Sequence, residues 1–181
     1  MLAFFAIVFG IVFLDQLTKW LAVIFLKGGE SVYLINKVLR FTYLENPGAA
    51  FGMLADNRWV FLVVSTAMII GLTFYMFKFR SGNKWEYASC AFIVGGGIGN
   101  MIDRVFLGYV IDFIDFCAFP NIWKFVFNVA DSFVCVGAGI LLVYLVISMF
   151  KESKAEKMAV LNADTEEDDQ DEAENEETKG E

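Results

Sequence analysis

Six acidic and amide side chains stand at helix-like or strand-like spacing inside stretches that are otherwise apolar: Asn100 and Asp103, Asp112 and Asp115, Asn128 and Asp131. An ionised group at bilayer depth costs a few kcal/mol or more, so such residues mark function by default. Carboxylates brought together in a low dielectric cannot both ionise; one pKa rises and a proton is shared. One member can then take a proton from water while the other hydrogen-bonds the carbonyl under attack, which is peptide hydrolysis by an aspartyl pair. Spacing alone leaves Asp103, Asp112, Asp115 and Asp131 all eligible. In a strand Asp112 and Asp115 point to opposite faces. Asn128 and Asp131 share a face at a helix start, where the N-terminus helps to hold negative charge.

Other polar groups have plainer readings. Asp15, Thr18 and Lys19 fall at i, i+3 and i+4, one helical face, and could be a salt bridge that orients its helix or a contact to a loop or substrate. Asn46-Pro47-Gly48-Ala49-Ala50-Phe51 packs turn formers and small residues together, as an ordinary turn does, and lets a backbone come close to something. Gly95, Gly96, Gly97 and Gly99 leave room for a partner helix, and Asn100, Asp103 and Arg104 follow as one polar face.

The chain has no histidine, which excludes His-based general bases, Ser-His and Cys-His nucleophile pairs, and the commonest transition-metal ligands. Cys90, Cys117 and Cys135 are scattered without metal-ligand spacing, and Cys90 and Cys135, within apolar runs, read as small buried hydrophobes.

The elements that must position these groups are membrane spans. The 181 residues are 57% hydrophobic, too apolar for an ordinary soluble domain. Apolar runs cover about 2–26, 59–77, 85–102 and 126–150, each near the ~20 residues that cross a hydrocarbon core as a helix. The first lacks a basic leader and an Ala-x-Ala-like site and is interrupted by Asp15 and Lys19, so it reads as retained. Between the first two spans Leu39, Phe41 and Tyr43 alternate with Val38, Arg40 and Thr42, the period of a strand. The expected fold is therefore mainly α, an integral membrane protein with four transmembrane helices, and with a small β-sheet and loops at the extracytoplasmic surface. Residues 1–150 form the membrane domain, with the β-segment inside 27–58.

Residues 151–181 hold 13 acidic and 4 basic residues, a net of −9, and are expected to be a disordered, solvated tail. Lys78, Arg80 and Lys84 in the second connection, and Lys151, Lys154 and Lys157 after the fourth span, favour the cytoplasmic side. The opposing Lys27, Lys37, Arg40, Arg58, Arg104 and Lys124 weaken that signal. Trp59, Trp85 and Trp123 stand near span ends, as rings at headgroup level do.

Five motifs, in order over residues 10–140, resemble those of lipoprotein signal peptidases, the signal peptidase II family. They are Asp15-x-x-Thr18-Lys19, Asn46-x-Gly48-Ala49-Ala50-Phe51, Gly96-x-x-Gly99-Asn100-x-x-Asp103-Arg104, Val110-Ile111-Asp112-Phe113 and Phe127-Asn128-x-Ala130-Asp131-Ser132. The resemblance implies an aspartyl endopeptidase of the bacterial inner membrane, with both termini cytoplasmic and its site near the outer face. Such an enzyme cuts prolipoproteins just before a diacylglyceryl-modified cysteine. By position it assigns the catalytic pair to Asp112 and Asp131. Asp15, Lys19, Asn46, Gly48, Asn100, Asp103, Arg104, Asn128 and Ala130 match positions that shape the site or bind substrate. It implies no metal or organic cofactor, and a monomer whose partners are the lipid-modified substrate and membrane lipid, without nucleic acid. The rival reading is a carrier that moves protons or cations on the same aspartates, although no inverted repeat supports it. A structural adaptor would leave the aspartates unexplained.

Overall fold

In a computed structural model the described residues are 2–48, 58–78, 83–118 and 125–179. The order is α1 (Leu2–Leu26), β1 (Val32–Ile35), β2 (Leu39–Asn46), α2 (Arg58–Lys78), α3 (Lys84–Phe106), β3 (Val110–Phe116), β4 (Val126–Phe127) and α4 (Val129–Lys179). The strands form one antiparallel sheet in sequence order. The residues up to 141 and those from 142 onward make two compact units, the second being the remainder of α4.

The helices are inside-out relative to those of a water-soluble protein. On α1 the buried stripe is Phe4, Val8, Ile11, Asp15, Lys19 and Ala22, at steps of three and four residues, while Phe5, Phe9, Phe13, Trp20 and Phe25 are exposed. Without water to drive helix pairing, close packing and polar contacts must do it. Three helices among the described residues are long and apolar enough to cross a membrane: Leu2–Leu26, Trp59–Lys78 and Val129–Lys154. α3, the expected third span, has the length but a less apolar sequence, and it packs against α1 and α2. Twelve of its residues are buried, among them Glu86, Asn100 and Asp103. A helix largely enclosed by others can carry polar residues that a lipid-facing one cannot.

Each end of α3 is fixed by local chemistry. Asn83 caps its start by accepting a hydrogen bond from the Trp85 N–H at 2.9 Å. At the other end Gly108, at φ 88°, takes the left-handed conformation that stops a helix, and its N–H returns to the Asp103 carbonyl at 3.2 Å. The chain then turns directly into β3. Near the start of α3, buried Glu86 accepts a hydrogen bond from the Tyr75 hydroxyl of α2.

The sheet packs on the last turns of α1 through Ala22, Phe41, Ile111 and Phe113. An apolar cavity of about 250 Å³ lies there, lined by Thr18, Leu21, Ala22, Phe25, Leu26, Phe41 and Phe113. Phe113 and Asp112 alternate along β3 and so face opposite ways. The acidic segment expected to be disordered is helical through Lys179. Ala, Glu, Lys, Leu and Met favour helix intrinsically, whereas low apolar content speaks to packing rather than to backbone conformation. Cys90 is buried as expected, but Cys135 is exposed on α4. Trp59 and Trp85 are exposed at helix starts, and Arg80, Trp123 and Lys124 lie outside the described residues.

Candidate active site

Beside the C-terminal halves of α1 and α3, the polar residues of five elements meet. Two glycines make this possible. A Cβ on Gly96 would strike the Ala130 carbonyl and Val134, and one on Gly99 would stand 2.6 Å from Asp15 Oδ2 and 3.2 Å from Ala130 Cβ. Only bare backbone lets α1 and the start of α4 approach α3 this closely.

Lys19 sits at the centre of one half. Its Nζ lies 2.8 Å from Asp15 Oδ2 and 2.9 Å from Asp103 Oδ2, and it donates to Asn100 Oδ1 at 2.9 Å, so all three ammonium donors are used. Both carboxylates are further tied to backbone. Asp15 Oδ1 accepts from the Ala130 N–H at 2.8 Å, in the first turn of α4, and Asp103 Oδ2 accepts from the Ile111 N–H at 3.0 Å. The side chains of Asp15, Lys19 and Asp103 are at most 2% exposed. Gln16, which no spacing argument singled out, bridges the same groups: its Nε2 donates to Asp103 Oδ1 at 3.0 Å, and to Gly99 O and Asp15 Oδ2 at 3.2 Å. Thr18 lies outside this network; its hydroxyl donates to the Leu14 and Asp15 carbonyls of its own helix.

The other half is built around Asn128, a fully buried residue just before α4. Its Oδ1 accepts from the Asp131 N–H at 2.8 Å, while Asp131 Oδ2 accepts from the Asn128 N–H at 3.3 Å. That reciprocal pair is a capping box, so one exchange starts the helix and fixes the Asp131 carboxyl. Asn128 Nδ2 also donates to Asp112 Oδ1 at 2.7 Å. Asp112 Oδ2 accepts from Asn46 Nδ2 at 2.8 Å. Asn46 faces Val110 across the β2–β3 ladder, which makes Asp112 its diagonal neighbour. The Gly48 N–H, donating to Asn46 Oδ1 at 3.1 Å, sets the orientation of that amide. Asn100 joins the halves: its Oδ1 accepts from Lys19 and from Asn128, and its Nδ2 donates to Asp131 Oδ1 at 2.7 Å. Arg104 is half-buried beside them, its charge reaching Asp131, Asp112 and Asp103.

This geometry separates aspartates that spacing could not. Asp103 is bound to Lys19, and Asp115 to Arg40 at 2.6 Å across the sheet. Asp112 touches no cation among the described residues; amides alone hold it. Burial first, and then the charge of Asp131, push its carboxyl up to about 7, against the pull of Asn46, Asn128 and Lys19. Asp131 is half-buried and Asp112 is 1% exposed, so Asp131 is the more accessible of the two. The expected site residues Asp15, Lys19, Asn46, Gly48, Asn100, Asp103, Arg104, Asp112, Asn128, Ala130 and Asp131 all fall in this one region. Ala49, Ala50 and Phe51 lie outside the described residues.

Two carboxyls whose charges reach each other, held by amides instead of cations, can share one proton, and a shared proton is what general acid–base hydrolysis requires. A family model for signal peptidase (SPase) II matches residues 7–147. Among curated relatives, the lipoprotein signal peptidase of Caldanaerobacter subterraneus subsp. tengcongensis is 50% identical over 78% of this chain and 93% of its own. That of Halalkalibacterium halodurans is 40% identical over 86% and 99%, and that of Bacillus subtilis 36% identical over 83% and 97%. A solved bacterial membrane enzyme superposes with a TM-score of 0.76 at 30% identity, over 82% of this chain and 90% of that one.

Proposed function

The chain belongs to the signal peptidase II family, and we propose that it removes signal peptides from bacterial prolipoproteins by aspartyl chemistry at Asp112 and Asp131, cutting just before a diacylglyceryl-modified cysteine. One observation carries the assignment of the pair. Asp112 and Asp131 arrive from β3 and α4, are both held by Asn128, and touch no cation among the described residues, whereas Asp15, Asp103 and Asp115 each have one.

Asp112 holds the shared proton and Asp131, the more accessible of the two, is the base. Water attacks the carbonyl before the modified cysteine as Asp131 takes its proton, while Asp112 donates to the carbonyl oxygen. The tetrahedral intermediate collapses with return of that proton to Asp112 and transfer of the proton on Asp131 to the leaving amine. Atoms and charge balance, and the pair ends as it began. Asn100 and Asn128 keep the carboxyls in place, and Arg104 is positioned to meet the substrate backbone.

The protein is a bacterial membrane protein in which α3 is the fourth, enclosed span. Both termini lie on the cytoplasmic side, which puts the ends of α1 and α3, and with them the site, at the outer face. The signal-peptide helix and the acyl chains enter sideways from the bilayer. The site is complete within one chain, and a monomer suffices. Cleavage of a purified diacylglyceryl-modified precursor by the wild-type chain, and its loss in Asp112→Asn and Asp131→Asn, tests this reading; substantial cleavage by either folded variant removes that residue from the pair.

A further inference from the structure

Lys19 of α1 and Arg104 of α3, the two cations whose charge reaches Asp112 and Asp131 among the described residues, are held in opposite ways. The ammonium of Lys19 is saturated by Asp15, Asp103 and Asn100. Arg104 has five donors, yet among the described residues its one hydrogen bond is a long one, from Nη1 to the Asn100 carbonyl at 3.4 Å, within its own helix. It makes no ion pair with Asp131, Asp112 or Asp103, although its charge reaches all three. What holds it is a ring. The guanidinium carbon lies 5.2 Å from the centroid of Phe61, in the first turn of α2.

We propose that Phe61 is a positioning residue for cleavage: its ring holds the Arg104 guanidinium off the carboxyl pair, leaving the arginine donors free for a substrate carbonyl and the pair free to keep its proton. The idea rests on the reading of Asp112 and Asp131 as the reacting groups. The physics is a competition. A guanidinium released from an aromatic face is drawn to the nearest carboxylate as a two-pronged ion pair. Closing on Asp131 or Asp112 would favour ionisation of both and remove the acid. Among the described residues the charged groups facing the pair are Asp15 and Lys19 of α1 and Asp103 and Arg104 of α3; β2 contributes the amide of Asn46, with Glu45 turned to Lys27 at 2.9 Å. Arg104 alone among these can change partners without breaking a bond to another carboxylate.

The experiment uses the full chain, purified in detergent, and a diacylglyceryl-modified precursor, with kcat and KM measured from pH 5 to 9 and thermal stability followed for each variant. Phe61→Leu is expected to lower kcat about tenfold with KM within about threefold, the scale of a desolvated cation–π contact. Its alkaline limb should move about half a unit toward lower pH as the guanidinium closes on the pair. Phe61→Tyr and Phe61→Trp keep a π face and should hold wild-type kcat and pH profile, even if Phe61→Leu lowers the yield. In an Arg104→Gln background, Phe61→Leu should add no further loss. Wild-type kcat and limb in Phe61→Leu, loss of rate in both aromatic variants, or an undiminished Phe61→Leu effect without Arg104 would each overturn the proposal alone. A wild-type chain that leaves the precursor uncut would overturn the functional reading and this proposal with it.

Discussion

Two pairs of aspartates lie within one polar cluster, and they are treated differently. Asp15 and Asp103 share a lysine and three backbone or amide donors, on the facing sides of α1 and α3. Asp112 and Asp131 share an asparagine and, among the described residues, no cation. Compensated carboxylates in a low dielectric act as a clamp, because leaving the ion pair would expose an unpaired charge. Uncompensated ones are left with an unsatisfied demand for a proton, which is a chemical capability and a cost to stability. The two pairs differ in what is withheld: one has a buried cation within reach of both carboxylates and the other has amides alone.

The largest effects should come from the uncompensated pair. Asp112→Asn and Asp131→Asn are each expected to lower the cleavage rate about 10³–10⁴-fold, the range of a lost acid or base. Asp112→Asn should leave thermal stability at pH 8 unchanged or raised, since a neutral amide replaces a carboxyl that burial disfavours. Lys19→Met, in the clamp, should do the reverse: it strands two buried carboxylates at about 3–5 kcal/mol, read as loss of folded protein in a solubilised, purified sample. If Lys19→Met folds at full yield, the clamp is no clamp.

Gly99→Ala tests whether the two halves must touch. The added methyl meets Asp15 Oδ2 and Ala130, and a thermal unfolding measurement should show a loss of about 1–3 kcal/mol. Gln16→Leu, which removes a donor to Asp15 and Asp103 while Lys19 remains, should cost less, about 1–2 kcal/mol, with the cleavage rate of folded enzyme changed little.

The pH dependence sharpens the comparison further. Asp112 titrates higher in the folded chain, at about 7, than in the unfolded one. The folded state therefore holds the extra proton between the ordinary carboxylate range and pH 7, and stability falls as pH rises through that window. If the protonated carboxyl is the acid, as proposed, cleavage should fall along the same alkaline limb. A rate that is flat through pH 7 to 9 would contradict the assignment.

Much of this was legible in the residues. α1 appears where the apolar run places it, at Leu2–Leu26, and β2 carries the alternation of Leu39, Phe41 and Tyr43. The i, i+3, i+4 spacing of Asp15 and Lys19, and of Asn100 and Asp103, put each pair on one buried face. The choice of Asp112 over Asp103 and Asp115 was not legible from spacing, because it depends on where Lys19 and Arg40 reach in three dimensions. Gln16 was missed because it neighbours Asp15 in sequence, and periodicity does not join adjacent positions on a helix. Ala130 gave no chemical signal at all, since it acts through its backbone N–H and its smallness beside Gly99. The enclosed setting of α3 was hidden for a related reason: hydropathy reports contact with lipid and not contact with other helices.

Infrared difference spectroscopy of the purified, lipid-embedded protein tests the contrast directly, because a protonated carboxyl group absorbs apart from a carboxylate. The expected result is a protonated-carboxyl band that disappears with a midpoint at about pH 7, is absent in Asp112→Asn, and persists in Asp103→Asn. A band that survives in Asp112→Asn, or no carboxyl titrating near neutrality in the wild-type chain, would contradict it.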